Sequence, residues 1–374
     1  MKNPNPRFWA GAFVLLATLL LLLTVKAGQV VVLRPWPVAP GTAERLGLPE
    51  PVAASLALAS LAPSSHNAQM WKIRVLSESE VLVMLDEKRL LPAVDPERRE
   101  ALLSMGAFLE NLVRGAATQG LEAKVALPAE EPLGVEIARV RFQPGPARAG
   151  ILEALLSRDT FRGTLPKEDI PQETVEALSA TAPSRWFFFP AGSPKGSWIR
   201  EGLAEANRVQ ASRDAVQEEL AGWLRFSPKS VSRHRDGLTP AGMGLPMPVR
   251  AFMALFFNEE SATGKSFREA GIKKAHEQVD SCAGFFVLAS PDGKSRSILQ
   301  AGRDLEAFWL EAVRKGVAVH PMSQVLEESP WKEQIASRLG IRGTVQMVLR
   351  VGLAPSAPRP VSPRRPLEAF VERP

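Results

Sequence analysis

The chain has 374 residues, 45% hydrophobic and 23% charged, a globular composition that sets disorder aside. Its formal charge of +6 comes from scattered Lys and Arg that never alternate with aromatics, so no nucleic-acid partner is expected. The single cysteine, Cys282, excludes an internal disulfide or a thiolate cage; the histidines stand at no metal-ligand spacing, and without tyrosine there is no phenolic proton donor.

At the amino end, residues 8–25 are uncharged and almost wholly apolar, follow Lys2 and Arg7, and approach the length of a bilayer-crossing helix. The reading is an uncleaved single-pass anchor in the cell membrane over residues 1–28, preferred to a cleavable signal segment, with the body on the extracytoplasmic side in preference to the inner one. A proline-rich linker is expected over residues 29–50. Then comes Ala-Pro-Ser-Ser-His-Asn-Ala-Gln-Met-Trp, residues 62–71, a dense run of hydrogen-bonding groups between apolar stretches. It reads either as a turn that bonds its own backbone or as the rim of a ligand site.

Compared with itself, the chain shows a repeat. Residues 104–121 lie without gaps over residues 300–317, matching Gly106 to Gly302, Leu109 to Leu305, Glu110 to Glu306 and Gly120 to Gly316. Both stretches predict amphipathic helices closed by a glycine, and each follows a strand-like run with an Asp-Pro or Pro-Asp turn. The opening Leu-Ala-Ser-Leu-Ala-Pro-Ser-Ser (58–65) parallels Leu-Ser-Ala-Thr-Ala-Pro-Ser-Arg (178–185), and three matches in one order favour duplication. The second copy carries an insertion at about 191–275, rich in Gly and Pro at its centre, expected to form a lid. Before it, Arg158, Thr160 and Arg162 alternate just ahead of a helix expected near Pro171. An extended segment turns such side chains to one face, a clamp for an anion, the alternative being a solvated charged turn. Arg364 and Arg365 offer further cations near the carboxyl end.

Taken together, residues 62–71, Arg-Asp-Thr-Phe-Arg (158–162), the helix and turn at 301–324 and Ser-Pro-Arg-Arg-Pro-Leu-Glu-Ala-Phe (362–370) resemble the nitroreductase-like FMN-binding oxidoreductases, in their duplicated Acg form. That resemblance implies an α+β nitroreductase-like fold duplicated in one chain, a monomeric pseudo-dimer with antiparallel-rich sheets flanked by helices, preceded by the membrane helix. Its halves are residues 51–150 and 151–374. It implies FMN as cofactor, with Arg158, Thr160, Arg162 and Arg364 or Arg365 at the phosphate and ribityl chain, Ser64, Ser65, Asn67 and Gln69 at the ring edge, and Ser323 and Gln324 near the reactive nitrogen. The first copy lacks the Arg-x-Ser/Thr-x-Arg pattern, so a single flavin site is expected. The implied activity is hydride transfer from NAD(P)H through the flavin to an oxidised acceptor such as a nitro compound or quinone. No Gly-x-Gly-x-x-Gly occurs, so the nicotinamide would use the open flavin face, with Lys229, Arg233, His234 and Arg235 of the insertion available to its phosphates. No catalytic side chain or metal ligand is singled out. The competing readings are an FMN-binding protein without turnover, its site covered by the lid, and a cofactor-free scaffold.

Overall fold

The computed structural model describes residues 24–129, 131 and 133–373. After helices α1 (Thr42–Leu46) and α2 (Glu50–Ala59), strands β1 (Trp71–Ser77) and β2 (Glu80–Leu85) form a hairpin. Helix α3 (Arg99–Thr118) leads to β3 (Leu121–Ala126) and β4 (Glu136–Pro144). The first sheet has the order β3-β4-β2-β1-β9, antiparallel except where the last strand, β9 (Val371–Glu372), runs beside β1. The carboxyl end therefore returns to the edge of a sheet begun near the amino end.

Past α4 (Leu152–Ser157) and α5 (Gln172–Ser179), strand β5 (Trp186–Pro190) begins the second sheet. Helices α6 (Pro194–Ser212), α7 (Asp214–Gly222), α8 (Pro228–His234), α9 (Met247–Phe256), α10 (Glu259–Thr263) and α11 (Lys265–Val279) follow. Strand β6 (Gly284–Ser290), helix α12 (Ser295–Arg314), strand β7 (Val317–Pro321), helix α13 (Trp331–Leu339) and strand β8 (Thr344–Leu353) complete the body. This sheet is antiparallel, in the order β5-β6-β8-β7. β6 reads as an unbroken apolar run because both its faces are covered: Phe286 and Leu288 enter the main core, Phe285 and Val287 a second core with Ile199 and Leu203 of α6. The expected insertion is thus not all lid. α6 builds the second core, while residues 223–245 and a small apolar cluster around Phe226 and Met253 lie apart from it.

The two matched helices, α3 and α12, cross at the centre of the main core. A Cβ at Gly106 would stand 2.0 Å from the carbonyl oxygen of Leu299, and one at Gly302 would stand 2.2 Å from that of Leu103. The contact is reciprocal, and hydrogen is the only substituent that fits at either point. Each helix ends at a glycine in the left-handed region, Gly120 at φ 72° and Gly316 at φ 67°, where a side chain would be strained.

The α+β class expected from the sequence is present; the expected membrane helix is not found among the described residues. Among the described residues no helix is long and apolar enough to cross a membrane. Residues 1–23 of the expected anchor lie outside them, and residues 24–27 form a single helical turn. There Lys26 brings a charge, and Gly28 is held against the body by a hydrogen bond from Arg250 Nε to its carbonyl (3.0 Å). The single-pass anchor and the cell-membrane location drawn from it are therefore not supported. Residues 29–50, expected as a linker, carry α1 and bury Ala43, Leu46 and Leu48 in the main core.

Candidate active site at the crossing of the two central helices

A cavity of about 360 Å³ opens beside the crossing, within the usual size of a small-molecule site. Its floor is Glu100, Leu103, Ser104 and Ala107 of α3 with Leu305 and Trp309 of α12. The insertion supplies the roof through Gly237, Leu238, Thr239 and Gly242.

The segment 158–162 forms one wall, and Arg158, Thr160 and Arg162 all border the cavity. It is pinned from behind. Phe161 N donates to Val319 O on β7 (3.0 Å), and the fully buried Arg350 of β8 donates to the carbonyls of Phe161 (3.2 Å) and Gly163 (2.9 Å). The two flanking arginines are not equivalent. Arg158 is 4% exposed, lies over the Trp309 ring (4.8 Å to its centre), donates to Leu61 O (2.7 Å) and faces the buried Glu306 carboxyl at 3.4 Å. Arg162 donates to Gly242 O of the roof (2.8 Å).

Two more guanidinium groups reach the same cavity. Arg364 donates to the carbonyls of Ser60, Leu61 and Ala62 beyond the end of α2, and to Asn67 Oδ1 (2.9 Å). Arg34 donates Nη1 to Leu156 O (2.8 Å), while its buried Nε has no hydrogen-bond partner. Burial pushes Arg34 and Arg162 down to about 10, the neighbouring Arg158 adding to the effect at Arg34, and it pushes Arg364 well below the usual range. The carboxyls among them are Asp159, raised by burial, and Glu306, pushed up to about 7 by burial against the pull of Arg158.

The loop at 62–71 splits between cavity and scaffold. Ser64 and Ser65 border the cavity; Ser64 Oγ accepts from Gln69 N (3.0 Å) and Ser65 Oγ donates to Glu100 Oε2 (2.5 Å). Asn67 borders it too, but its amide is spent on the scaffold. Nδ2 donates to Gly237 O (3.0 Å) and Pro363 O (3.1 Å), and Oδ1 accepts from Arg364. Gln69 and Arg365 do not border it. Gln69 bonds Arg235 O (2.9 Å) and accepts from Arg365 N (2.9 Å), and the Arg365 guanidinium is bound to the carbonyls of Gln69, Trp71 and Ala369. The loop holds this shape with His66, Asn67 and Gln69 at φ 48°, 52° and 55°, a conformation that costs a non-glycine residue roughly 1 kcal/mol or more.

Ser323 and Gln324 also border the cavity, and Gln324 Oε1 is buried without a partner. The insertion's Lys229, Arg233 and His234 are exposed and, like Arg235, do not border the cavity. Sequence reasoning missed Arg34, His66, Glu100, Trp309, His320 and Glu327, all on its walls. His66 is pushed down to about 4 and His320 well below its usual value by burial, so both imidazoles are neutral at pH 7. Nothing at their positions signals this, because their neighbours come from distant segments.

No family model matches the chain. It is 26% identical over 337 residues to "Putative NAD(P)H nitroreductase acg" of Mycobacterium tuberculosis, covering 85% of this chain and 94% of that one. The chain is similar to the Acg-named nitroreductases along most of its length. A second M. tuberculosis relative, "Putative NAD(P)H nitroreductase Rv3131", is 26% identical over 333 residues, 87% of this chain and 92% of the relative. Among solved structures, the FMN and NADPH-dependent nitroreductase NfnB of a Sphingopyxis strain aligns with 60% of this chain and 98% of its own, at 14% identity and a TM-score of 0.38. NfnB of Mycobacterium smegmatis, solved with NADPH, aligns over the same shares at 16% identity and a TM-score of 0.36.

Proposed function

We propose that this chain is an FMN-dependent NAD(P)H oxidoreductase of the nitroreductase type, acting on a nitro compound or quinone, with the cofactor in the cavity beside the α3–α12 crossing. The observation that carries the reading is the excess of positive charge there: five guanidinium groups, Arg34, Arg158, Arg162, Arg268 and Arg364, border the cavity against three carboxyls, Glu100, Asp159 and Glu327, with Glu306 set behind Arg158, and the buried Arg34 Nε is unpaired. Burial works against the charge on three of these cations, and a phosphate dianion offsets that cost. The residues present therefore fit FMN. Arg162, Arg34 and Thr160 would hold its phosphate end, and Ser64, Ser65, Ser323 and Gln324 would edge its ring, the free Gln324 Oε1 taking a ring N–H. The naming of the relatives as NAD(P)H nitroreductases supports the same reading.

When bound, FMN supplies two-electron hydride transfer between a nicotinamide and an acceptor. The chain's own part is placement. Arg158 is spent on Glu306, Leu61 O and Trp309, so it fixes the wall; the roof bonded to Asn67 and Arg162 limits water. The two halves, 51–150 and 151–374, are read as copies of one unit, which the reciprocal Gly106–Gly302 contact supports.

Fluorescence titration of the purified chain with FMN tests this. Arg34→Ala and Arg162→Ala are each expected to weaken binding by about tenfold or more, the worth of one charge-assisted hydrogen bond. Unchanged affinity in both overturns the site. The roof's bonds to the 62–71 loop also favour a second reading, an FMN holder whose cover bars a second substrate. FMN uptake with no NADPH-driven reduction of a quinone or nitroaromatic selects it.

A further inference from the structure

Two carboxyl groups from distant parts of the chain meet on one wall of the cavity. Glu100 stands in the first turn of α3, and Glu327 directly follows the short helical turn Gln324–Leu326; both border the cavity, and both side chains are under one-tenth exposed. The two carboxyls stand close enough for each to act on the other's ionisation. One guanidinium serves the pair: Arg99 Nη2 is 3.1 Å from Glu100 Oε1 and 3.9 Å from Glu327 Oε1, while its Nη1 goes to Gln346 O. Two adjoining carboxylates with one counter-charge cannot both ionise, so the pair holds a proton.

The hydrogen-bond donors decide where that proton sits. Glu100 receives Ser65 Oγ as well as Arg99, and these hold it down to about 2. Glu327 receives the neutral Gln210 amide, and burial beside the Glu100 carboxylate holds it well above the usual range. The other charged or titratable groups nearby are His66, kept neutral, and Asp95, pushed up to about 6 by burial and Glu100. Arg213 is engaged by Glu328 at 2.6 Å. A separate observation marks this cavity as built for a hydrogen-bonding ligand: His320, 7% exposed, borders it with a buried Nδ1 that has no partner, as does Gln324 Oε1.

We propose that Glu327, backed by Glu100, is the carboxylic acid that protonates the reduced acceptor in this cavity. The inference rests on the oxidoreductase reading above. A quinone acceptor takes two electrons as one hydride, supplied by NAD(P)H through the cofactor, and is left with an anionic oxygen. The Glu327 O–H bond breaks as an O–H bond forms on that oxygen, completing the hydroquinone. The new Glu327 carboxylate, set against Glu100, then regains a proton from water. Reduction of the cofactor by NADPH consumes a hydride and makes no demand on this acid.

The test uses the purified full chain. With ¹³C-labelled glutamate and no cofactor, infrared spectroscopy at pH 7 should show a protonated glutamate in Glu306→Gln, and none in Glu306→Gln/Glu327→Gln. With FMN bound, single-turnover reoxidation by a benzoquinone should slow about 100-fold in Glu327→Gln and lose its solvent deuterium effect, the scale of general-acid catalysis. Glu327→Asp should recover part of the rate, and reduction by NADPH should be unchanged. A protonated band that survives in the double variant, or quinone reoxidation indifferent to Glu327→Gln in an FMN-loaded protein, overturns the proposal alone. A wild-type chain that takes up no FMN overturns it together with the oxidoreductase reading.

Discussion

Glu306 shows how one residue reports on the interior of this protein. It is fully buried on α12, its nearest cation is Arg158 at 3.4 Å, and neither carboxyl oxygen has a regular hydrogen bond. Burial outweighs that cation and pushes the carboxyl up to about 7 from its ordinary value of 4.5. A raised acid stabilises the fold below its unfolded pKa and loses that contribution as pH climbs through the folded one. The window here is thus roughly pH 4.5 to 7, and a shift of that size is worth on the order of 3 kcal/mol. Asp95 and Glu327, also raised, act in the same direction, while His66 and His320, held low by burial, act against it below about pH 6.5. Urea unfolding at pH 5 and pH 8 therefore isolates Glu306 by difference: the stability change from pH 5 to pH 8 should be less unfavourable in Glu306→Gln than in the wild-type chain, and equal changes would refute the assignment. The sequence places Glu306 in the repeat opposite Glu110 and hints at one difference: Glu110 has Arg114 four residues on, where Glu306 has Leu310. Arg114 does bind Glu110 (2.8 Å), but its second partner, Arg303 (2.9 Å), and the sealing of Glu306 beside Arg158 come from other segments and do not follow from spacing along one helix.

Among the elements, α3 and α12 were legible because a long amphipathic helix writes its period into the sequence and its end into a glycine. The same self-comparison picks out Gly106 and Gly302, and the crossing explains both. A methyl group at either would fall within 2.2 Å of a backbone carbonyl, which no side-chain rotation can relieve. Gly106→Ala and Gly302→Ala should each destabilise the chain by about 3 kcal/mol or more, at the upper end of overpacking costs. Because both press on one crossing, the double variant should lose less than the sum. Denaturant midpoints of the four proteins decide it, and strict additivity would mean that the two glycines do not share a contact. The Arg-Asp-Thr-Phe-Arg segment was legible only in part. Alternation does bring Arg158, Thr160 and Arg162 to one cavity, but the partners of Arg158 lie on α12 and at Leu61, and Arg34 and Arg364 complete the charge cluster from opposite ends of the chain. Such partners are fixed by tertiary approach, for which a single sequence offers no spacing to read.

Seen whole, the molecule is fastened where three remote segments meet: the loop at 62–71, the insertion at 235–237 and the tail at 363–365. The polar residues of that loop raised a choice between turn and ligand rim, and they divide between the two. Ser64 and Ser65 face the cavity, while Asn67 and Gln69 join insertion and tail. Most of those bonds end on backbone carbonyls, which leave no mark in a sequence; the arginines were visible, their acceptors were not. Asp236 is the ionic part of the same fastening. It is 4% exposed, accepts from Arg89 Nη1 at 2.9 Å and lies 2.8 Å from Nη2 of the buried Arg225. Removing one member of a buried pair strands the other's charge, at a cost of about 3 to 5 kcal/mol. The roof's own apolar cluster is small and separate from the main core, so the loss should appear as local opening and not as global unfolding. Hydrogen exchange on Asp236→Ala should therefore speed up at residues 223–245 by a factor of 100 or so, the lower part of that range being spent on local opening. Amides of α3, α12 and β6 should keep their protection. If exchange rises evenly across all of these, the roof is an integral part of the core; if residues 223–245 are unaffected, Asp236 does not hold it.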